Sequence, residues 1–232
     1  MTTKNQREQL TEWYDEEYFR AYPFHARRIK QILRHLPLSE KDHICEFGCG
    51  LGHILFAIQP RIDSGLGVDF SSYAIAEANR YRDTARLHNL EFRAQAIEDL
   101  PKDSSLCGRF TKVFLMDISE HLYDDTLSQF LAAARHVLTP GGRLYIHTPN
   151  AGYYLEIMKT HNFILKQFPS HIAVRDRAAY DALLLRSGFR IVNVTVLPHY
   201  NRLLGILDRL LMKLPLLGQL FEARLLIEAV AD

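Results

Sequence analysis

The stretch His43-Ile44-Cys45-Glu46-Phe47-Gly48-Cys49-Gly50-Leu51-Gly52 is an apolar run that breaks into three glycines at alternate positions. The run reads as a short buried strand, and glycines directly after it allow the positive-φ turn that joins a strand to a helix. Residues 51–59 are the helix expected to follow. Moving outward, 65–69 is a second strand, 71–88 a second helix and 90–95 a third strand. Residues 111–116, 144–148 and 189–197 are further apolar, β-branched runs, with helices at 126–137 and 178–186. Strands alternating with helices imply right-handed crossovers and a largely parallel sheet covered on both faces. Before the strand, residues 7–36 carry apolar positions at three- and four-residue spacing (Leu10, Trp13, Tyr14, Phe19, Ile29, Ile32, Leu33), divided into two helices at Tyr22-Pro23. Residues 224–230 form a closing strand, expected as an antiparallel hairpin partner or an edge.

The chain has 232 residues, 47% hydrophobic and 24% charged, enough for one compact core. No repeat or low-complexity linker interrupts it, so a single domain over 1–232 is expected. It divides into an N-terminal helical cap (1–40), a substrate-side insertion (150–174) and an amphipathic segment (201–218). Lys plus Arg number 28 against 27 Asp plus Glu, a net charge of +1, so no global field draws in nucleic acid. Three cysteines, Cys45, Cys49 and Cys107, are too few for a disulfide framework and fit a reducing cytosol, and the polar first residues lack an export core. No apolar run approaches the roughly 20 residues of a membrane span. The expected location is therefore cytoplasmic.

Ligands of open α/β sheets bind outside the carboxyl ends of the strands, where the glycine turn lies. A dinucleotide fingerprint would need glycine at 53, which is His53, and no Gly-Lys-Ser/Thr follows to cradle a phosphate. The pattern is G-x-G-x-G, preceded two residues earlier by Glu46. Asp69 ends the second strand, 17 residues after Gly52, where a carboxylate can accept both hydroxyls of a ribose.

Glu-Phe-Gly-Cys-Gly-Leu-Gly at 46–52, Gly-Val-Asp-Phe-Ser at 67–71 and Leu-Thr-Pro-Gly-Gly-Arg-Leu at 138–144 together resemble the class I S-adenosylmethionine-dependent methyltransferases. The resemblance runs from about Tyr14 to Val196. It implies a Rossmann-like three-layer α/β/α sandwich whose seven-stranded, mostly parallel sheet has an antiparallel last strand. It also implies that Gly48, Gly50 and Gly52 line the cofactor, with Glu46 near its methionine end, Asp69 on the ribose and Phe70 beside the adenine. Many relatives carry Asp where this chain has Ala96, which leaves the backbone of Ala96 and Ile97 to read the ring.

Methyl transfer from a sulfonium is an in-line displacement, so positioning supplies much of the catalysis, and a hydroxyl acceptor gains from a base or metal. Met116-Asp117-Ile118-Ser119-Glu120-His121, followed by His171, is similar to ubiquinone-pathway O-methyltransferases and small-RNA 3′-terminal 2′-O-methyltransferases. Those families imply a divalent cation such as Mg²⁺, Mn²⁺ or Fe²⁺ held by Asp117, Glu120, His121 and His171, with Asp117 also beside the cofactor. The first acid is Asp where those relatives often have Glu, so its reach is shorter. Two other roles stand open: His121 as an unaided general base with Glu120 beside it, or Glu120 as a helix cap and His121 as cleft lining. His147 points toward the cleft as wall. Tyr14 and Tyr18 are either an aromatic lid over the cofactor or a core stripe, and Tyr153, Tyr154, Met158 and Phe163 sit where acceptor pockets are shaped.

Arg202, Gly205, Arg209 and Lys213 fall on one side of a helical wheel and Leu203, Leu207, Leu210, Leu211 and Leu214 on the other. Packing onto the sheet or a dimer mate, or resting weakly in a membrane interface through 202–217, are its open uses. The function expected is S-adenosylmethionine-dependent O-methylation of a small-molecule acceptor, quinone-like, lipid- or sugar-linked. RNA terminal 2′-O-methylation, small-molecule N-methylation and a non-catalytic binding module are the alternatives.

Overall fold

A computed structural model describes residues 13–21 and 26–231. Leu10, the first turns of the N-terminal helical pattern and the break at Tyr22-Pro23 lie outside the described residues.

The elements in chain order are α1 (Glu16–Ala21), α2 (Ala26–Leu33), β1 (His43–Phe47), α3 (His53–Ile58), β2 (Ser64–Asp69), α4 (Ser72–Ala85), β3 (Leu90–Ala94), β4 (Phe110–Met116), α5 (Asp124–Val137), β5 (Leu138–Pro149), α6 (Tyr154–Thr160), α7 (Arg177–Arg186), β6 (Phe189–Leu197), α8 (Arg202–Leu211) and β7 (Arg224–Ala231). The strands form one seven-stranded sheet in the order β3-β2-β1-β4-β5-β7-β6. The first five in that order pair in parallel, and β7 runs antiparallel to both β5 and β6. Strand order reverses between β1 and β4, so their carboxyl ends open the crevice in which α/β sheets bind ligands.

Two apolar clusters cover the two faces. One gathers Phe47, Val68, Leu131 and Leu183, the other Ile32, Leu55, Ile75 and Phe114. Burial on both faces explains why β1 and β4 read as continuous apolar runs rather than alternating ones. Ser71 caps α4 by accepting from the Ala74 N–H at 3.3 Å, and Asp176 caps α7 by accepting from Ala179 N–H at 2.8 Å.

Three differences from the sequence reading bear on the site and the sheet. The helix after the glycine turn begins at His53, not at residue 51, because Gly52 sits at φ 78° and the turn runs through it. β5 begins at Leu138 and carries the Pro140-Gly141-Gly142 bend inside it. The closing strand is a hairpin partner of β6 but not an edge: it lies between β5 and β6, and β6 is the edge. Burial explains the order, since β7 is buried at Leu225, Leu226 and Ile227 while β6 leaves Val192 and Val196 exposed.

Candidate active site

The carboxyl ends of β1, β2 and β4 open into a cavity of about 640 Å³, closed above by α1 and α2. Glu46, the penultimate residue of β1, lies at its wall, 3% exposed, and burial pushes its carboxyl up to about 8. The chain then turns through Gly48 at φ 67° and Gly50 at φ 50°. A side chain on Gly48 would place its Cβ 2.0 Å from Ile118 Cδ1, so the turn admits no larger residue without movement. The Gly48 and Cys49 N–H groups donate to the Val68 carbonyl at 2.8 and 3.2 Å, tying the turn to β2.

Asp69 closes β2. Its Oδ2 accepts the Gly50 N–H at 2.8 Å and its Oδ1 the Ser71 N–H at 2.9 Å, so one carboxylate fixes both the glycine turn and the start of α4. Phe70 lines the cavity beside it, and Phe19 of α1 packs over Gly50. Three residues expected to meet the cofactor do not line this cavity. Gly52 is turned to the core, where Phe92 leaves no room for a Cβ, and Ala96 and Ile97 are buried at 5% and 4% exposure behind the wall.

On the far side, Asp117 leaves β4 with φ 56°. Its Oδ1 accepts from Arg224 Nη1 at 2.6 Å and His147 Nδ1 at 2.9 Å, and its Oδ2 lies 3.3 Å from Arg28 Nη1. Burial alone would raise this carboxyl; His147, Arg224 and Arg28 outweigh it and hold the group well below the usual carboxylate range. Both oxygens are thereby committed to cations. That corrects the expected four-residue metal set, because Asp117 stands apart from the other three members.

Glu120, His121 and His171 do converge: each offers a ligand atom, and these lie within 4.8 Å of one another. Glu120 is 1% exposed, accepts a hydrogen bond from Thr148 Oγ1 at 3.3 Å, and is pushed up to about 8 by burial and then by Asp117. His121 Nδ1 lies 2.7 Å from the Ser170 carbonyl and 2.9 Å from the Tyr14 hydroxyl. A carbonyl only accepts, so Nδ1 carries the proton and Nε2 is the basic nitrogen of the ring. Burial lowers the His121 pKa below its ordinary 6.5. His171 packs edge-on at 4.9 Å, with its buried Nδ1 lacking a hydrogen-bond partner, and burial followed by His121 brings it down to about 4.

Arg175 holds this group in place, and nothing in the sequence singled it out. Its Nη1 donates to the carbonyls of Ser119 at 2.8 Å and Ala173 at 2.9 Å, and its Nη2 to Leu122 at 2.7 Å. Together with the Ala173 N–H on the Glu120 carbonyl, these bonds clamp the turn bearing Glu120 and His121 against the segment bearing His171. Arg28 and Arg224 were missed for the same reason, since each meets Asp117 only through the fold. Tyr14 is on the site and bonded to His121, and Tyr14 and Tyr18 line the cavity. Tyr153, Lys159, Phe168, His199 and Tyr200 also line the cavity, and this part is the proposed acceptor end. His147 is fully buried beneath Asp117 and does not line the cavity.

The chain is 26% identical over 187 residues to the ubiquinone biosynthesis O-methyltransferase of Coxiella burnetii, covering 78% of this chain and 76% of that protein. It is 31% identical over 137 residues to the enzyme of the same name from Xylella fastidiosa, covering 55% of this chain and 51% of that one. The match thus spans about half the length of the second relative. In fold it is similar to a Haloferax volcanii methyltransferase solved in complex with the Trm112 methyltransferase activator, with TM-score 0.68, 20% identity and 95% and 96% of the two chains covered. The family described as a methyltransferase domain matches residues 38–192, across the glycine turn, Asp69 and the 117–121 turn. On that match the chain belongs to the methyltransferase-domain family and is an S-adenosylmethionine-dependent methyltransferase.

Proposed function

We propose that this enzyme methylates an oxygen of a small-molecule acceptor, quinone-like or lipid- or sugar-linked, with His121 as the general base. The observation that carries the proposal is the hydrogen bond from His121 Nδ1 to the Ser170 carbonyl, which leaves Nε2 as the basic nitrogen on a cavity-lining ring. The ubiquinone O-methyltransferase relatives point the same way. Glu46, Gly48, Gly50, Asp69 and Phe70 would seat S-adenosylmethionine, and Tyr14, Tyr18 and Phe19 would exclude water above it. His121 takes the acceptor hydroxyl proton at Nε2 while the oxygen attacks the methyl carbon in line. The carbon–sulfur bond breaks as the oxygen–carbon bond forms, leaving an ether and a neutral thioether. Burial lowers the His121 pKa below its ordinary 6.5, which favours its basic form at neutral pH.

A second reading adds a divalent cation at Glu120, His121 and His171. It is favoured by the donor set, one carboxylate and two imidazoles, and by the unpartnered buried Nδ1 of His171. Such an ion would lower the pKa of the acceptor hydroxyl. Glu120 would have to release its proton to bind it, so affinity would rise with pH.

The test is methyl transfer from labelled S-adenosylmethionine to catechol acceptors by wild type, His121→Asn and His171→Ala, with and without EDTA. Loss in His121→Asn with EDTA resistance and an active His171→Ala supports the unaided base. Loss on chelation, restored by Mg²⁺ or Mn²⁺, selects the cation. Full activity of His121→Asn refutes both.

A further inference from the structure

Helix α8 is folded inside out relative to its sequence pattern. Its buried face is Gly205 and Asp208, while Leu203, Leu210 and Leu216 are 78%, 61% and 99% exposed. Ile206, Leu207, Leu214, Leu217 and Leu220 are exposed with them, on α8 and the turn that follows. Positions 203, 207 and 210 recur at helical spacing, so they form one stripe on α8, and Leu214 is exposed in the turn after it.

The inversion is built by specific contacts. Asp208 is fully buried, bonded by the Tyr153 hydroxyl at 3.2 Å to each oxygen and by the His199 N–H at 2.8 Å. Gly205 rests against the His199 carbonyl, which a Cβ would approach to 2.4 Å. Tyr153, His199 and Tyr200 also wall the acceptor end of the cavity. The leucine stripe thus lies on the outer face of a helix whose inner face packs on residues that line the cavity.

The exposed charges on α8 and the turn to residue 221 are of one sign. Between residues 202 and 221 the sole acid is Asp208, which is buried, whereas Arg202, Arg209 and Lys213 are all exposed. Outward leucines flanked by snorkelling cations match the interface of an anionic bilayer, where aliphatic side chains enter the acyl boundary and cations meet headgroups.

We propose that α8 and the turn to residue 221 dock this enzyme on an anionic lipid surface, with the acceptor end of the cavity held against the membrane. The docking does not depend on which atom is methylated, and its test reads binding rather than turnover.

The experiment is co-sedimentation of the full chain with vesicles of phosphatidylcholine alone or mixed with phosphatidylglycerol. Wild type is expected to pellet with the mixed vesicles and much less with the neutral ones, and to be released by salt. Leu207→Asp combined with Leu210→Asp should lower the partition by about tenfold or more, the transfer cost of a leucine side chain being of that size. Arg209→Glu with Lys213→Glu should abolish the preference for anionic vesicles. Calorimetric binding of S-adenosylmethionine by each variant shows that the fold is intact, since the replaced side chains face outward. A full chain that stays in the supernatant with anionic vesicles overturns the proposal. So does a leucine variant that pellets like wild type, or a dimer in solution that the leucine variant dissolves, which would make the stripe an interface between copies.

Discussion

Glu46 is a carboxyl that the fold keeps protonated near neutral pH, and replacing it by Gln should expose this through the pH dependence of stability. Its pKa is raised by burial from the ordinary 4.5 to about 8. Between those values the folded protein holds one proton that the unfolded chain has released, so stability falls as pH rises. The slope is about 1.4 kcal/mol per pH unit, accumulating to about 4–5 kcal/mol by pH 8. Urea unfolding of the ligand-free protein at intervals from pH 5 to 8.5 measures it. Other raised acids, Glu120 and Asp69, contribute to both proteins, so the readout is the difference between wild type and Glu46→Gln. The variant carries an amide where Glu46 Oε2 has no hydrogen-bond partner, which shifts its curve by a constant and leaves the slope informative. Expected is a curve that falls less steeply with pH than that of wild type, the two converging or crossing by pH 8. Parallel curves would refute the reasoning. The cofactor gives a second check: an ammonium and a sulfonium placed beside Glu46 would ionise it. At pH 7 about nine in ten molecules carry the proton, so binding should release close to one proton, seen as buffer-dependent heat in calorimetry and absent in Glu46→Gln.

Gly48→Ala should cost about 1–3 kcal/mol, since its Cβ meets Ile118 at 2.0 Å and its φ is 67°, and should weaken S-adenosylmethionine binding at least tenfold by calorimetry; unchanged affinity would place the cofactor elsewhere. Asp69→Asn puts an amide donor against the Gly50 or Ser71 N–H whichever way it turns, and should lower the ligand-free stability by about 2–4 kcal/mol in urea; an unchanged midpoint would mean the carboxylate does not hold the turn. Arg175→Ala strands the carbonyls of Ser119, Ala173 and Leu122 and should cost about 3–5 kcal/mol, with activity falling through the displaced His121; a loss under about 1 kcal/mol would remove its clamping role. With S-adenosylmethionine saturating, so that Glu46 is already ionised, the kcat/KM profile for the acceptor should rise with pH through a pKa below 6.5, and no rise in that range would exclude His121 as the base.

What the sequence discloses here follows the range of the forces involved. The glycine turn and the strand ending at Asp69 are local: apolar runs, glycines and caps a few residues apart determine them. The Glu120–His121 pair was visible for the same reason, and His171 only through its likeness to other chains. The engagement of Asp117 was not visible, because Arg224 is 107 residues away and the ion pair exists only after β4, β5 and β7 have aligned. Gly52 read with the other two glycines because spacing cannot tell which side of a turn faces the cavity, and in the fold its Cβ direction points at Phe92. In α8 the pattern identified an apolar stripe but not its direction, since Asp208 finds its partners in Tyr153 and His199, on other elements.

Placing β7 between β5 and β6 also sets an order of events during folding. β6 leaves the ribosome before β7 and, as an edge strand, has no neighbour in the sheet except β7. Until residues 224–231 are synthesised, one edge of β5 and the whole hydrogen-bonding potential of β6 stay unsatisfied, while the β3-β2-β1-β4-β5 half already has its strands. The β3-β2-β1-β4-β5 part can therefore assemble early, and β6 and β7 join it in a single late insertion. An interrupted chain would expose two adhesive strand edges at once, so premature termination before residue 224 should yield aggregates rather than a weakened enzyme.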